Sequence, residues 1–216
     1  MTLQRQATHK ATPLARCLTT TCAILHLAIL AILPMAGNAR AWAQPSDGER
    51  LGMAIDYFQD GKYHEAMLIL QDLDSRYKLN PRFQAYLGVC FYYEWDYKQA
   101  NECLDKAIPK LTGFAPQERS FYYFANAESL FNLRQYDRAL DNYRQMLTLC
   151  HDNEKGDAYY KIGVIHTFHK EWAEALDNLQ SAWHYYTRYN PGKKARIAQI
   201  RNMIQGCCDK INGKGT

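Results

Sequence analysis

The chain repeats one short pattern four times, and this repetition restricts the fold more than any other feature. Each copy has an aromatic residue, an alanine three positions later, and apolar residues four and seven positions beyond the alanine. The aromatic residues of successive copies lie 34, 39 and 36 residues apart. The four pairs are Tyr63 and Ala66, Tyr97 and Ala100, Tyr136 and Ala139, and Trp172 and Ala175. Such a period indicates an array in which each unit buries its apolar face against the next.

A second motif lies nine positions ahead of each aromatic residue, where the chain has a small residue: Ala54, Gly88, Ala127 and Gly163. Helical spacing on both sides of a short turn predicts helix–turn–helix units. The first helices are predicted near 47–59, 81–93, 117–132 and 156–169, and the second helices near 63–76, 97–110, 136–149 and 172–188. We expect the small residues to face the alanines of the second helix, because larger side chains would push the two helices apart.

These residues resemble the tetratricopeptide repeat, whose typical period is 34 residues. The resemblance covers residues 47–189, with departures at Asn126, where an aliphatic residue is usual, and at His166, where an aromatic residue is usual. It implies an all-α fold, an α–α superhelix or solenoid of about four helix–turn–helix repeats. The array would span 44–191, with copies at about 47–80, 81–115, 116–154 and 155–189.

Residues 192–216 are predicted to form a capping helix and a short tail. Apolar residues recur there at helical spacing, namely Ile197, Ile200, Ile204, Cys208 and Ile211. A repeat array needs such a helix because its last unit has no neighbour to cover its apolar face. The basic residues around this stripe, such as Lys194 and Arg201, leave a membrane-surface helix as the alternative.

The first 43 residues have the order of a secretory signal peptide. Basic residues come first, a mostly apolar stretch runs from Cys17 to Leu33, and Ala41-Trp42-Ala43 provides a small-x-small cleavage site. We therefore expect export to a periplasm or to the exterior, with no membrane span remaining after cleavage. An uncleaved N-terminal membrane anchor is the alternative.

The charge balance argues against nucleic acid as a partner. The whole chain has a formal charge of +4, but residues 1–43 contain four basic and no acidic residues, so 22 basic and 22 acidic side chains remain. A chain without a basic excess lacks the field that attracts phosphate backbones.

Five cysteines follow the predicted cleavage site, namely Cys90, Cys103, Cys150, Cys207 and Cys208. An exported chain can form disulfides, but five thiols cannot all pair within one chain. Small buried apolar residues on helices and partial disulfide pairing both remain open.

In the family that the chain resembles, the first helices line a concave groove that receives an extended peptide or a helix. The resemblance therefore implies a partner-binding groove, and its open face is unusually aromatic. The predicted groove residues are Phe58, Gln59, Arg82, Tyr92, Tyr93, Phe121, Phe124, Glu128, Phe131, Asn132, Tyr160 and Phe168. Aromatic anchors in a preformed groove supply much of the binding energy of an interface. Packing of these rings between neighbouring copies, or against the stretch 44–49, is the alternative.

No catalytic constellation is evident in the sequence. Phosphate-binding glycine loops and serine-centred elbows are missing, and His166 with His169 lacks a third metal ligand. We therefore predict a protein that is not an enzyme, has no cofactor or metal, and binds a partner protein or peptide, in a bacterial cell-envelope or secretion assembly. A carbohydrate-binding accessory protein that uses the same aromatic rings is the alternative.

Overall fold

Helices account for nearly all of residues 44–213, which are the residues that the computed structural model describes. They are α1 (Asp47–Gln59), α2 (Tyr63–Tyr77), α3 (Pro81–Tyr93), α4 (Tyr97–Ala107), a 3₁₀ helix (Ile108–Lys110), α5 (Pro116–Asn132), α6 (Tyr136–Leu149), α7 (Asp152–His169), α8 (Trp172–Tyr189) and α9 (Lys194–Ile211). This part of the chain contains no strand. The predicted signal peptide, residues 1–43, lies outside the described residues.

The helices pack in sequence order. Within each copy the first helix contacts the second, and each second helix contacts the first helix of the next copy. The last helix, α9, packs against α8. The predicted all-α solenoid of four helix–turn–helix repeats with a terminal helix is therefore confirmed.

Side chains at the helix starts explain several of the boundaries. Ser46 and Glu49 form a capping box at α1, in which the Ser46 amide donates to the Glu49 carboxylate at 2.7 Å. Asn80 accepts from the Arg82 amide at 3.0 Å, and Pro81 occupies the first turn of α3, where no backbone donor is needed.

The turn inside each copy uses one left-handed residue, two positions before the repeated aromatic. These residues are Gly61, Trp95, Arg134 and Lys170, with φ of 73°, 63°, 60° and 61°. Glycine adopts this conformation without penalty, whereas a residue with a Cβ atom is strained there. Only the first copy therefore has an unstrained residue at this position.

Close helix contact explains the glycines of the second and fourth copies. A Cβ atom on Gly88 would lie 2.7 Å from Leu104 Cγ, and one on Gly163 would lie 2.8 Å from Leu179 Cγ. In both copies the buried leucine four residues beyond the repeated alanine is the nearest neighbour of the glycine. A residue without a Cβ atom is therefore needed at these two positions.

Two helix boundaries differ from the prediction by more than one residue. Helix α4 ends at Ala107 and the chain continues as a 3₁₀ helix, since Pro109 cannot donate the backbone hydrogen bond that would extend α4. Helix α7 begins at Asp152, four residues earlier than predicted. The His151 amide donates to the Glu154 carboxylate at 2.9 Å and stabilises this early start.

Asn126 lies in the core at 1% exposure, and its hydrogen bonds explain the departure from the aliphatic residue usual at its position. Its side-chain amide donates to Asp105 Oδ1 at 3.0 Å and to Asn142 Oδ1 at 3.1 Å. Its Oδ1 accepts from Asn101 Nδ2 at 2.7 Å. Every donor of this amide is therefore satisfied inside the core.

The cysteines among residues 44–213 are all free thiols. Cys90 and Cys207 are buried and pack in two different apolar clusters. Burial raises the pKa of the Cys90 thiol to about 12. These two thiols therefore act as small apolar core residues.

Helix α9 covers the last copy with its apolar stripe. Ile200 and Cys207 are buried, whereas Ala198, Asn202 and Gln205 are exposed. The apolar stripe packs on the last copy, as a capping helix requires, and this packing disfavours the membrane-surface alternative, which needs that stripe free. Among the helices in residues 44–213, none is both long and apolar enough to cross a bilayer.

Candidate protein-binding groove

The twelve predicted groove residues lie on the first helices α1, α3, α5 and α7, but they differ in exposure. Four are exposed: Gln59, Tyr93, Asn132 and Phe168. Six are half-buried: Phe58, Arg82, Tyr92, Phe121, Phe124 and Phe131. Glu128 and Tyr160 are buried. The predicted set therefore combines surface residues with residues that hold the copies together.

Three half-buried rings each contact a ring of the next copy. Phe58 stacks on Tyr86 with ring centroids 4.2 Å apart. Tyr92 meets the edge of Phe124 at 6.1 Å, and Phe131 lies 6.2 Å from Phe168. Packing between copies, the alternative considered for these aromatic residues, therefore describes one role of Phe58, Tyr92 and Phe131.

Arg82 links the second and third copies. Its Nε donates to Glu118 Oε1 at 2.7 Å and its second nitrogen to Glu118 Oε2 at 3.1 Å, a two-point contact. The guanidinium also lies 5.2 Å from the centre of the Phe114 ring. Hydrogen bonding to Glu118 raises the pKa of Arg82, so this cation stays engaged within the chain.

Glu128 is only 9% exposed and belongs to the interface between the third and fourth copies. Lys161 donates to its Oε2 at 2.7 Å, and the Tyr143 hydroxyl donates to its Oε1 at 2.5 Å. The Lys161 ammonium also lies 4.3 Å from the centre of the Phe131 ring. Burial, with Glu128 nearby, raises the pKa of Tyr143 well above its usual value. Both oxygens of Glu128 are therefore engaged within the chain.

Tyr160 does not reach the open face, because α9 covers it. The guanidinium of Arg196 lies 4.1 Å from the centre of the Tyr160 ring, and Tyr160 packs in the same apolar cluster as Ile200. It is 8% exposed. The sequence prediction placed Tyr160 at the surface because it considered the repeat without the end helix that packs on it.

Two of the predicted groove residues, Phe168 and Tyr93, are exposed aromatic rings. Phe168 is 52% exposed and lies 5.2 Å from the Tyr136 ring. Tyr93 is 39% exposed and stacks on Tyr63 at 3.9 Å, and Trp95, two residues on, is 79% exposed. Rings with one face supported and the other open are preformed contacts for a partner.

A pocket of about 200 Å³ opens between α5 and α7. It is lined by Ser120, Phe121, Phe124, Met146, Glu154 and Asp157. Phe121 and Phe124 were predicted to belong to the groove. The pocket joins these two aromatic side chains to two carboxylates of the next copy.

Sequence reasoning missed Glu154 and Asp157. The first helix of the fourth copy was predicted to begin at residue 156, so Glu154 fell in a loop. A glutamate three residues after a helix-capping position is a recognisable start signal, and His151 followed by Glu154 provides it. With the helix begun at 152, both acidic residues lie on its first two turns.

His166 is 7% exposed and bonded to Glu171, with Nδ1 and Oε2 2.6 Å apart. The imidazole of His166 lowers the pKa of Glu171 through this hydrogen bond. His169 Nδ1 lies 3.8 Å from the same carboxylate. Within residues 44–213 no cluster of three or more His, Cys, Asp or Glu residues could hold a metal ion. Its burial and its hydrogen bond to Glu171 give His166 a packing role at the α7–α8 turn.

No family model matches the sequence. Among curated proteins, the cell division cycle protein 27 homolog of Caenorhabditis elegans is 25% identical over 152 residues. The match covers 70% of this chain and 18% of that protein, so the chain spans less than a fifth of the relative's length.

Solved structures with the same architecture include a MamA structure labelled AMB-1, with a TM-score of 0.62 and 13% identity over 78% of this chain and 83% of that chain. The apo form of RapI has a TM-score of 0.60 and 13% identity, over 77% of this chain and 64% of that chain. MamA from Desulfovibrio magneticus RS-1 has a TM-score of 0.52 and 15% identity, over 79% of this chain and 97% of that chain. These likenesses establish a tetratricopeptide-like helical-repeat fold.

Proposed function

We propose that this protein is a non-enzymatic scaffold that binds a partner protein or peptide along the first-helix face of its repeats. The observation that carries the proposal is the set of supported but open aromatic rings on that face, in particular Phe168 and Tyr93. Each is held from one side by a ring of the chain, so a partner would bind without first ordering these side chains. The tetratricopeptide-like fold supports the proposal.

Site-specific photo-crosslinking in the source cells tests this function. The full chain, with a C-terminal tag, would have p-benzoylphenylalanine in place of Phe168 or of Tyr93. Leu68 is the matched control, because it is 54% exposed but lies on a second helix. We expect the same partner protein to be crosslinked from the first two positions and not from Leu68. Equal crosslinking from Leu68, or none from any position, would contradict the proposal.

The pair of exposed rings at the second turn gives a specific reason to keep carbohydrate binding as a second candidate. Trp95 is 79% exposed in a left-handed conformation that strains a tryptophan. Arg134 and Lys170 adopt the same conformation at the corresponding turns, so the exposed ring of Trp95 and not its strain supports this candidate. A glycan array probed with the native chain and with Trp95→Ala distinguishes the two functions. Glycan binding predicts that the native chain binds specific glycans on the array and that the variant does not.

We propose further that the protein acts after export, in a cell-envelope or secretion assembly. The support is the order of basic, apolar and small residues in positions 1–43. Fractionation of source cells followed by N-terminal sequencing tests this proposal. We expect the mature chain to begin at Gln44 outside the cytoplasm. A chain that begins with the initiating methionine in the cytoplasmic fraction would refute it.

A further inference from the structure

We propose that the pocket between α5 and α7 binds the charged end of one lysine or arginine side chain of the partner. This inference rests on the proposed protein-binding function and names the chemistry that the site recognises. It is carried by the joint presence of aromatic side chains and carboxylates around one small cavity.

The size of the pocket selects one side chain. Its volume is about 200 Å³. Pockets that enclose whole small-molecule ligands measure about 300–1,000 Å³, so this cavity is too small for a typical metabolite. A single long side chain projecting from a bound peptide would occupy it, with the peptide backbone remaining outside.

The lining selects a cation. The faces of Phe121 and Phe124 carry negative partial charge, which attracts ammonium and guanidinium groups. Glu154 lies in the first turn of α7. An apolar occupant would remove water from these carboxylates without replacing their hydrogen bonds. None of the described residues that line the pocket is basic.

The two carboxylates are not equally available. Asp157 accepts a hydrogen bond from Tyr186, and Lys193 Nζ lies 3.7 Å from Asp157 Oδ2. Glu154 Oε2 accepts a hydrogen bond from the His151 amide at 2.9 Å. The other carboxylate oxygen, Oε1, is therefore the one that can accept from a ligand. We therefore expect Glu154 to make the main ionic contact with the cation, and Asp157 to add a weaker one.

The chain contains two other sites at which a cation lies over an aromatic ring and bonds to a carboxylate, and in both the cation is its own. Lys161 lies 4.3 Å from the Phe131 ring centre and donates to Glu128 at 2.7 Å. Arg82 lies over Phe114 and donates to Glu118 at 2.7 Å. Both arrangements join neighbouring copies, as the pocket does. The pocket repeats the aromatic and acidic parts of this arrangement, and the partner would supply its cation.

Titrations of the native chain followed by amide NMR test the inference. The probes are N-acetyl-lysinamide and N-acetyl-argininamide, with N-acetyl-norleucinamide as the neutral analogue. We expect the two cationic probes to shift signals near Phe124 on α5 and Glu154 on α7. The neutral analogue should bind about tenfold more weakly, as expected for the loss of one cation–π and one charge-assisted contact.

Two variants separate charge from folding. Glu154→Gln keeps the size and the backbone-capping oxygen, and we expect it to weaken both cationic probes about tenfold. Glu65→Gln changes an exposed carboxylate on α2 and should leave binding unchanged. Native amide spectra for both variants would exclude unfolding as the cause.

Three results would overturn the inference: equal binding of the neutral analogue, shifts spread over the acidic surface rather than the pocket, or no shift with any probe. Any of these, combined with a partner crosslinked from Phe168 and Tyr93, would leave the scaffold function intact and remove only the cation pocket. Cationic probes bound at the pocket of a chain that crosslinks no partner would instead contradict the scaffold.

Discussion

The junction between the first two copies is held by stacked rings, whereas the junction between the second and third copies adds a buried polar network to its aromatic contact. At the first junction, Phe58 stacks on Tyr86 and Tyr63 stacks on Tyr93. At the second junction, the buried Asn126 joins α4, α5 and α6 through hydrogen bonds to Asn101, Asp105 and Asn142. Arg138 of α6 also bonds to Asp105 of α4.

Because of this difference, we expect the two junctions to respond differently to amino-acid substitution. Stacked rings gain stability from buried area, so a ring that shifts slightly keeps most of its contribution. A buried amide network is directional, and the loss of one member leaves the others unsatisfied. We therefore expect the first junction to tolerate conservative changes and the second to be sensitive to them.

The largest expected effect comes from Asn126→Leu. Leucine is the kind of residue usual at this position, so the sequence pattern predicts a neutral or stabilising change. The structure predicts a loss of about 2–3 kcal/mol in the free energy of unfolding, because Asn101 and Asn142 lose buried partners. Denaturant unfolding would measure the change.

Ile162→Leu is the matched control for this prediction, because Ile162 holds the same repeat position in the fourth copy. It should cost less than about 1.5 kcal/mol, as volume-conserving core changes do. Replacing Asn101, Asn126 and Asn142 together by leucine should recover stability relative to the single variant. Equal stability of Asn126→Leu and the wild type would show that the network contributes nothing specific.

Gly88→Ala tests the close contact within the second copy, between the two junctions. We expect a loss of about 1–2 kcal/mol, since the added Cβ atom would lie 2.7 Å from the buried Leu104 Cγ. Gly52→Ala on α1 is the control, because a Cβ atom there meets nothing within 4 Å. That change should stabilise by about 0.5–1 kcal/mol through helix propensity. Thermal melts that rank the two variants in the opposite order would contradict the packing described here.

The turns of the first two copies provide a smaller test. Trp95→Gly should raise the free energy of unfolding by about 0.5 kcal/mol, as relief of the left-handed strain exceeds the entropy that glycine loses. Gly61→Ala should lower it by about 1 kcal/mol for the opposite reason. A Trp95→Gly variant that is less stable than the wild type would mean that the exposed tryptophan makes stabilising contacts, and urea unfolding would show it.

Alkaline pH should affect the first junction before the second. Burial, helped by Tyr93, raises the pKa of Tyr63 from 10.0 to about 12. The folded state therefore favours the neutral phenol, and this contribution is complete below pH 10 and lost as pH rises through about 12. The asparagine amides of the second junction do not titrate. NMR signals of the Tyr63 ring, recorded against pH, should move near 12, and a midpoint near 10 would contradict the stack.

The helices and turns could largely be predicted from the sequence, because apolar spacing and small residues depend on packing within one helix hairpin. Pro81 begins α3 and Trp172 begins α8 as predicted, and α5 begins at Pro116, one residue before its predicted start. Helix α7 begins four residues before its predicted start, because the contact between His151 and Glu154 stabilises its first turn. This earlier start places Glu154 on the helix, beside the pocket.

The groove was harder to predict, because a position on a repeat does not reveal what covers it. Phe121 and Phe124 line the pocket, and Phe168 is exposed. Tyr160 occupies an open-face position of its own copy, yet α9 places Arg196 over its ring. Glu128 accepts a hydrogen bond from Lys161, which lies 33 positions away in the sequence.

The sequence by itself determined the repeat, the number of copies and the need for an end helix, because these depend on periodic burial within a few turns of chain. Only the tertiary structure decided that Leu104 faces Gly88, that Asn126 is satisfied in the core, and that Glu154 joins Phe124 around one pocket. The reason is geometric. Helix crossing and the packing of one copy on the next set distances between residues far apart in the chain, and local spacing does not encode those distances.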